Sequence, residues 1–146
     1  FTSNTVNYGE FVNPIITTEE QDVVFAKDTK GSLQGLWTLA YVTNHCDDAC
    51  IKTLDDMKTT RTLVNENMRR IQRLLLIDGS TDIREHGLLI AQPSEALSQQ
   101  LMRFPNNSLF LIDPLGNIML HYNPQTLVIK RVLKDLKRLL KLSRIG

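Results

Sequence analysis

Both cysteines of this chain, Cys46 and Cys50, stand four residues apart. They follow a mostly apolar run, Leu36 to Val42, and precede an amphipathic stretch. No other feature limits the fold as much. "LWTLAYV" is rich in aromatic and branched residues and reads as a buried strand. Leu54, Met57, Arg61, Val64 and Met68 then recur at three- and four-residue steps, an apolar helical stripe interrupted only by Arg61. The cysteine pair therefore sits where a core strand turns into a helix.

That position gives the two thiols different chemistry. Cys46 falls at or just before the helix N-terminus, where free N–H groups and the helix dipole favour a thiolate. A protonated His45 would help, while Asp47 and Asp48 oppose it. Cys50 lies one turn further in and continues into the Leu54 and Met57 stripe, so it faces inward. Cys46 is thus expected to attack and Cys50 to resolve. In an ideal helix, Cα atoms four residues apart are roughly 6 Å apart, inside the disulfide range. A bridge closing so short a loop adds little stability, so a purely structural disulfide is the weaker reading. Two soft sulfurs at this spacing also suit Cu(I), although a firm copper site wants a third ligand.

The remaining chain supplies the rest of an α/β order. "VVFA" (23–26) reads as a short strand and "IQRLLLID" (71–78) as the next core strand. "GLLIAQ" (87–92) reads as a strand or loop. Pro93-Ser94-Glu95 starts a short helix running to about Arg103. "SLFLIDPLGNIMLHY" (108–122) reads as a hairpin, with Asp113, Pro114 and Gly116 at positions i, i+1 and i+3 of a type I turn. Leu127 to Leu142 is an amphipathic helix with Val128, Val132, Leu136, Leu139 and Leu140 on its apolar face. Lys130, Arg131, Lys134, Lys137, Arg138 and Lys141 make its other face. This order predicts a thioredoxin-like fold: a central mixed sheet flanked by helices, with a C-terminal β-hairpin and a final amphipathic helix. Residues 1–22 read as an irregular N-terminal segment and residues 23–146 as the thioredoxin-like domain.

Composition excludes little beyond disorder. The 146 residues are 42% hydrophobic and 23% charged, ordinary for one globular domain. The net charge of +1 hides a split: residues 1–60 carry nine acids and four bases, and residues 61–146 carry seven acids and thirteen bases. The basic final helix suits an anionic membrane or an acidic partner, but its lysines also read as simply solvated. Nucleic-acid binding lacks the interleaved aromatics it needs. Asp47, Asp48, Asp55 and Asp56 read as a solvated acidic face. His86 and His121 read as solvated histidines. The far end of the hairpin, with His121, is expected away from the cysteines or at the edge of their site. No Ser-His-Asp order, phosphate-binding glycine loop or zinc spacing occurs.

"GLWTLAYVTNHCDDAC" resembles the core motif of the Sco/SenC proteins, thioredoxin-like factors of cytochrome c oxidase assembly. In that family a "GKW" turn and an apolar strand lead into "THCPDICP". Gly35, Trp37, His45, Cys46, Asp48 and Cys50 match. "LFLIDPLGNI" resembles the family's "YLIDPxGxF" hairpin, and the resemblance covers about residues 23–142. It implies thiol–disulfide exchange through Cys46 and Cys50 in oxidase biogenesis. The alternatives are a copper(I) chaperone binding through Cys46 and Cys50, or a docking module with vestigial cysteines.

The family's third copper ligand is a histidine just before the "YLIDP" strand, and here Asn107 stands in that place. Ile51 and Asp47 replace the motif's two prolines. The "NYG" segment, Asn7-Tyr8-Gly9, resembles that of membrane-tethered relatives encoded in bacterial oxidase gene clusters. This implies a monomeric domain on the periplasmic face of the inner membrane, held by an N-terminal anchor before residue 1. Its expected partner is an oxidase subunit or another assembly factor.

Overall fold

The computed structural model describes residues 7–143. Residues 1–6 and 144–146, at the two ends of the expected segments, lie outside the described residues. Among the described residues, strands β1 (Glu10–Thr17), β2 (Val23–Phe25), β3 (Trp37–Thr43), β4 (Ile71–Ile77), β5 (Leu88–Pro93), β6 (Ser108–Ile112) and β7 (Asn117–Tyr122) form one sheet. Its order is β1-β7-β6-β3-β4-β5-β2. Strands β3, β4 and β5 run parallel, while β6, β7, β1 and β2 pair antiparallel to their neighbours. Helices α1 (Asp48–Leu63), α2 (Glu95–Leu101) and α3 (Ile129–Leu142) complete the expected architecture.

The central strands are covered on both faces, which is why their sequences read as continuous apolar runs rather than alternating ones. On one face Leu39, Tyr41, Leu75, Leu109, Leu111 and Leu120 pack with Cys50, Leu54 and Met57 of α1 and Val132, Leu136 and Leu140 of α3. On the other, Ala40, Leu74, Leu76 and Phe110 pack with Leu97 and Leu101 of α2. Full burial of each such leucine contributes roughly 1.5–3 kcal/mol.

Two expectations need correction. A strand, β1, occupies part of the segment read as irregular. It is an edge strand, paired only to β7, and buries little more than Val12 and Ile16. Pro14 is tolerated there because an edge position needs no ladder donor. The apolar stripe read through Met68 is not one helix. The α-helix stops at Leu63, Asn65 adopts a left-handed φ of 57°, and a 3-10 turn spans Asn65–Arg70. Thr60 is the buried residue of the final turn, while the Arg61 Nε donates to the Ile71 carbonyl at 2.7 Å.

The hairpin follows the expected pattern. Its turn forms as expected, with the Gly116 N–H donating to the Asp113 carbonyl at 2.9 Å and Gly116 at φ 88°. Of the two places expected for the far end of β7, away from the cysteines or at the edge of their site, the register fits the second. Tyr122 is in register with Leu109, which is in register with Tyr41 near the end of β3. The last residues of β7 therefore stand at the same end of the sheet as the cysteine loop.

Candidate functional site at the β3–α1 junction

The backbone leaves β3 at Thr43 and enters α1 at Asp48, and the loop between carries Cys46. Asp47 is the helix N-cap, its carboxylate accepting the Cys50 N–H at 3.0 Å. One of the free N–H groups of the first turn is thereby satisfied. Cys46 precedes the cap, so it is outside the helix, and Cys50 lies in its first turn. The two are joined in a disulfide with Cα atoms 5.0 Å apart.

The sulfurs differ in access as the sequence suggests. Cys50 is fully buried beneath α1, in the core with Leu54 and Met57. Cys46 is half-buried and packs against the border of that core. Of the two bonded sulfurs, Cys46 is therefore the more accessible to solvent. His45, Asp47 and Asp48 are exposed.

The loop before Cys46 is held by the segment that leads into β6. The Asn107 N–H donates to the Val42 carbonyl at 2.9 Å, and Asn107 takes a left-handed φ of 72°. Thr43 Oγ1, itself buried, lies 2.7 Å from Asn107 Oδ1 and 2.9 Å from the His45 carbonyl, and it accepts the His45 N–H at 3.2 Å. Asn106 accepts the Asn44 N–H at 3.0 Å and returns a side-chain bond to Asn44 at 3.1 Å. Two asparagines thus clasp the residues that aim Cys46. The sequence signal was the Asn106-Asn107 pair, since asparagine tolerates left-handed backbone and bonds to it locally.

Electrostatics around the junction are acidic. Tyr41, beneath the loop, has its pKa raised by burial first and by the Asp47 charge second, partly offset by a Thr53 hydrogen bond. The expected solvated state of His86 fits its exposed loop position. His121 is different: only 5% of it is exposed. Its Nε2 is 2.8 Å from Ser108 Oγ, and its ring packs on Phe104 and Phe110 with centroids 4.6 and 5.2 Å away. Phe110 belongs to the core on the face opposite Cys50, so His121 points away from the disulfide. Among the described residues no group of three His, Cys, Asp or Glu side chains is placed to hold a metal ion.

Sequence reasoning also missed a buried acid. Asp135 of α3 is 1% exposed, and its carboxylate accepts the Tyr8 and Gly9 N–H groups and the Tyr122 hydroxyl. The signal was an acid on the apolar face of an otherwise basic helix.

Comparison with known proteins places this geometry. The model of the transmembrane-like, thioredoxin-like, C-terminal domain family matches residues 37–143. A search of curated proteins finds no match. The solution structure of apo Sco1 from Thermus thermophilus is similar at a TM-score of 0.64 and 15% identity, covering 92% of this chain and 97% of that one. Copper-bound ScoI of Arabidopsis thaliana gives 0.58 at 13% identity, covering 76% and 88%. BsSco, described as a Sco-family cytochrome c oxidase assembly protein with a disulfide switch, gives 0.52 at 11% identity, covering 76% and 84%. At these identities the likeness shows a shared thioredoxin-like fold.

Proposed function

This chain belongs to the transmembrane-like, thioredoxin-like, C-terminal domain family, and on that footing we propose that it works by thiol–disulfide exchange through Cys46 and Cys50. The observation that carries this reading is the unequal burial of the two bonded sulfurs. In the oxidised chain, a partner thiolate attacks the Cys46 sulfur, a mixed disulfide forms, and the Cys50 thiolate leaves. A second partner thiolate then attacks the partner's own sulfur in the mixed disulfide and releases the Cys46 thiolate. Two electrons pass to this chain, and the partner leaves oxidised. The reverse sequence reduces a partner disulfide.

The likeness to Sco proteins supports a narrower role in the biogenesis of a cytochrome oxidase copper centre. The partner would be an oxidase subunit or another assembly factor. The site would lie on the periplasmic face of the inner membrane, on a monomer tethered by an N-terminal anchor. No described helix is long and apolar enough to cross a membrane, so any such anchor would precede the described residues.

The deciding experiment is a redox titration followed by mass shift after alkylation. A reversible two-electron transition supports the reading, with Cys50→Ser trapping a mixed disulfide at Cys46. A pair that stays in one state at every potential short of denaturation sinks it. Serine variants that leave the biological output intact would instead indicate vestigial cysteines.

Copper(I) chaperoning is the second reading, favoured by the copper-bound state of Arabidopsis ScoI. The donor set here fits that role poorly: the sulfurs are bonded to each other, and Asn107 holds Thr43. Titrating reduced protein with Cu(I) separates the readings, since tight binding lost in Cys46→Ser supports the chaperone.

A further inference from the structure

A cleft of about 850 Å³ opens between α1, the 3-10 turn and the loop before β5. Its floor includes Ile71 and Arg73, at the start of β4. Cys46 follows the opposite end of the parallel strand β3. A seven-residue strand is roughly 20 Å long, so the cleft is remote from the disulfide.

Its charge is one-sided. Among the described lining residues the carboxylates are Asp28 and Glu85, and each is already engaged. Glu85 pairs with Arg73, 3% exposed, at 2.7 Å, and Asp28 pairs with Arg84 at 2.8 Å. Lys30, Lys58, Arg61 and Arg69 line the same cleft and have no carboxylate partner among the described residues. Arg61 uses its Nε on the Ile71 carbonyl, which fixes the side chain and leaves its terminal nitrogens available. Four unneutralised cations in one concavity repel each other, and a bound anion relieves that repulsion.

The arrangement also narrows the ligand. The cations come from three segments: the loop after β2, the last turns of α1, and the 3-10 turn. They line one concavity from separate stretches of the chain and do not follow one strand or helix. Cations gathered from separate segments into one concavity suit concentrated charge on a compact molecule better than charge spread along an extended acidic peptide. Guanidinium groups match phosphate oxygens in pairs, and the volume is that of a small-molecule site. We infer that this cleft binds a compact polyanion bearing adjacent phosphate groups, at a site separate from the cysteine pair.

Inorganic tripolyphosphate is the probe, added to the oxidised full chain at about 0.15 M ionic strength and followed by calorimetry and amide NMR. Saturable binding of one ligand per chain is expected, with shifts at Arg61, Arg69 and Arg73. The double variant Lys58→Glu, Arg69→Glu changes exposed side chains and should weaken binding about tenfold or more. Lys134→Glu, Lys137→Glu on α3 is the control and should leave the affinity within about twofold. Hexaglutamate should bind about tenfold more weakly than tripolyphosphate. Absence of saturable binding overturns the proposal. So does an equal loss in the α3 control, which would mark a diffuse charge effect. Hexaglutamate binding as tightly as tripolyphosphate would make the cleft an acidic-peptide site and overturn it too.

Discussion

Thr43 Oγ1 lies 2.7 Å from Asn107 Oδ1, and the same hydroxyl touches the backbone of His45, the residue before Cys46. Asn107 is therefore one hydroxyl removed from the loop that presents the exposed sulfur. In the Sco/SenC motif that the sequence resembles, the counterpart expected at this position is a copper-binding histidine. Asn107→His should then add an imidazole beside the two thiols, and histidine also tolerates the left-handed φ found there. The reduced variant is expected to bind Cu(I) about tenfold or more tightly than the parent. The oxidised variant should bind no better than the oxidised parent. Equal Cu(I) affinities for the reduced proteins would show that the Asn107 side chain does not reach the sulfurs. Loss of the Thr43 bond should cost about 1 kcal/mol of stability.

Asp47 has two separable effects, one through hydrogen bonding and one through charge. As the N-cap of α1 it bonds the Cys50 N–H. Asp47→Ala should cost about 1 kcal/mol in urea unfolding, whereas Asp47→Asn keeps the cap and should cost much less. The carboxylate also raises the Tyr41 pKa, behind the larger effect of burial. Both variants should therefore lower the Tyr41 pKa, measured as tyrosinate absorbance. Asp47→Asn should do so without the stability loss. An unchanged Tyr41 titration in both would remove the Asp47 charge as a cause.

The junction was legible because it depends on local pattern. A strand buried on both faces, a cap residue and a helical stripe each leave a short-range signature, and together they place Cys46 outside and Cys50 inside. The Asn107 clasp and the Asp135 cluster were not legible in the same way. Asn107 meets Thr43 across 64 residues, and Asp135 meets Tyr8 across 127. Such pairs exist only once the sheet order is known. His121 was misread for a related reason. Its neighbours Leu120 and Tyr122 are plainly apolar, but its own burial comes from Phe104, which the chain brings back from the end of α2. Edge strand β1 gave a weak signal because only one face of it is covered and Pro14 interrupts it.

Burial of His121 predicts an acid-sensitive fold. Burial lowers its pKa, and the nearby Glu10 carboxylate only partly opposes this. The Ser108 hydroxyl donates to the Pro105 carbonyl at 2.6 Å, so the neutral ring donates from Nε2 to Ser108. In the unfolded chain the ring takes up a proton near its ordinary value of about 6.5. Between that value and the lower folded one, the unfolded state binds more protons, so stability rises with pH. Stability should be full above about pH 6.5 and fall as pH drops through the folded pKa. His121→Gln should flatten the slope of unfolding free energy between about pH 7 and 5, whatever it does to the absolute value. A slope as steep as the parent's would assign the acid sensitivity to other groups.

The buried carboxylate of Asp135 ties the N-terminal segment to α3. It accepts the Tyr8 N–H at 2.9 Å, the Gly9 N–H at 2.8 Å and the Tyr122 hydroxyl at 2.6 Å. Burial, then the bond to Asp135 and its charge, raise the Tyr122 pKa so far that the phenol stays a donor throughout the physiological range. Gly9 is needed for this approach, since a Cβ there would stand 2.8 Å from the Tyr122 ring. Asp135→Asn keeps the shape but turns an NH2 group toward donors, and it should cost about 2–4 kcal/mol. Amide exchange at Tyr8 and Gly9 should accelerate well beyond that of β7. Tyr122→Phe should cost less, about 1–2 kcal/mol, because both N–H bonds survive. Its exchange at Gly9 should stay close to the parent's. Equal protection of Tyr8 and Gly9 in Asp135→Asn and the parent would mean that β1 pairing, and not the carboxylate, holds the segment.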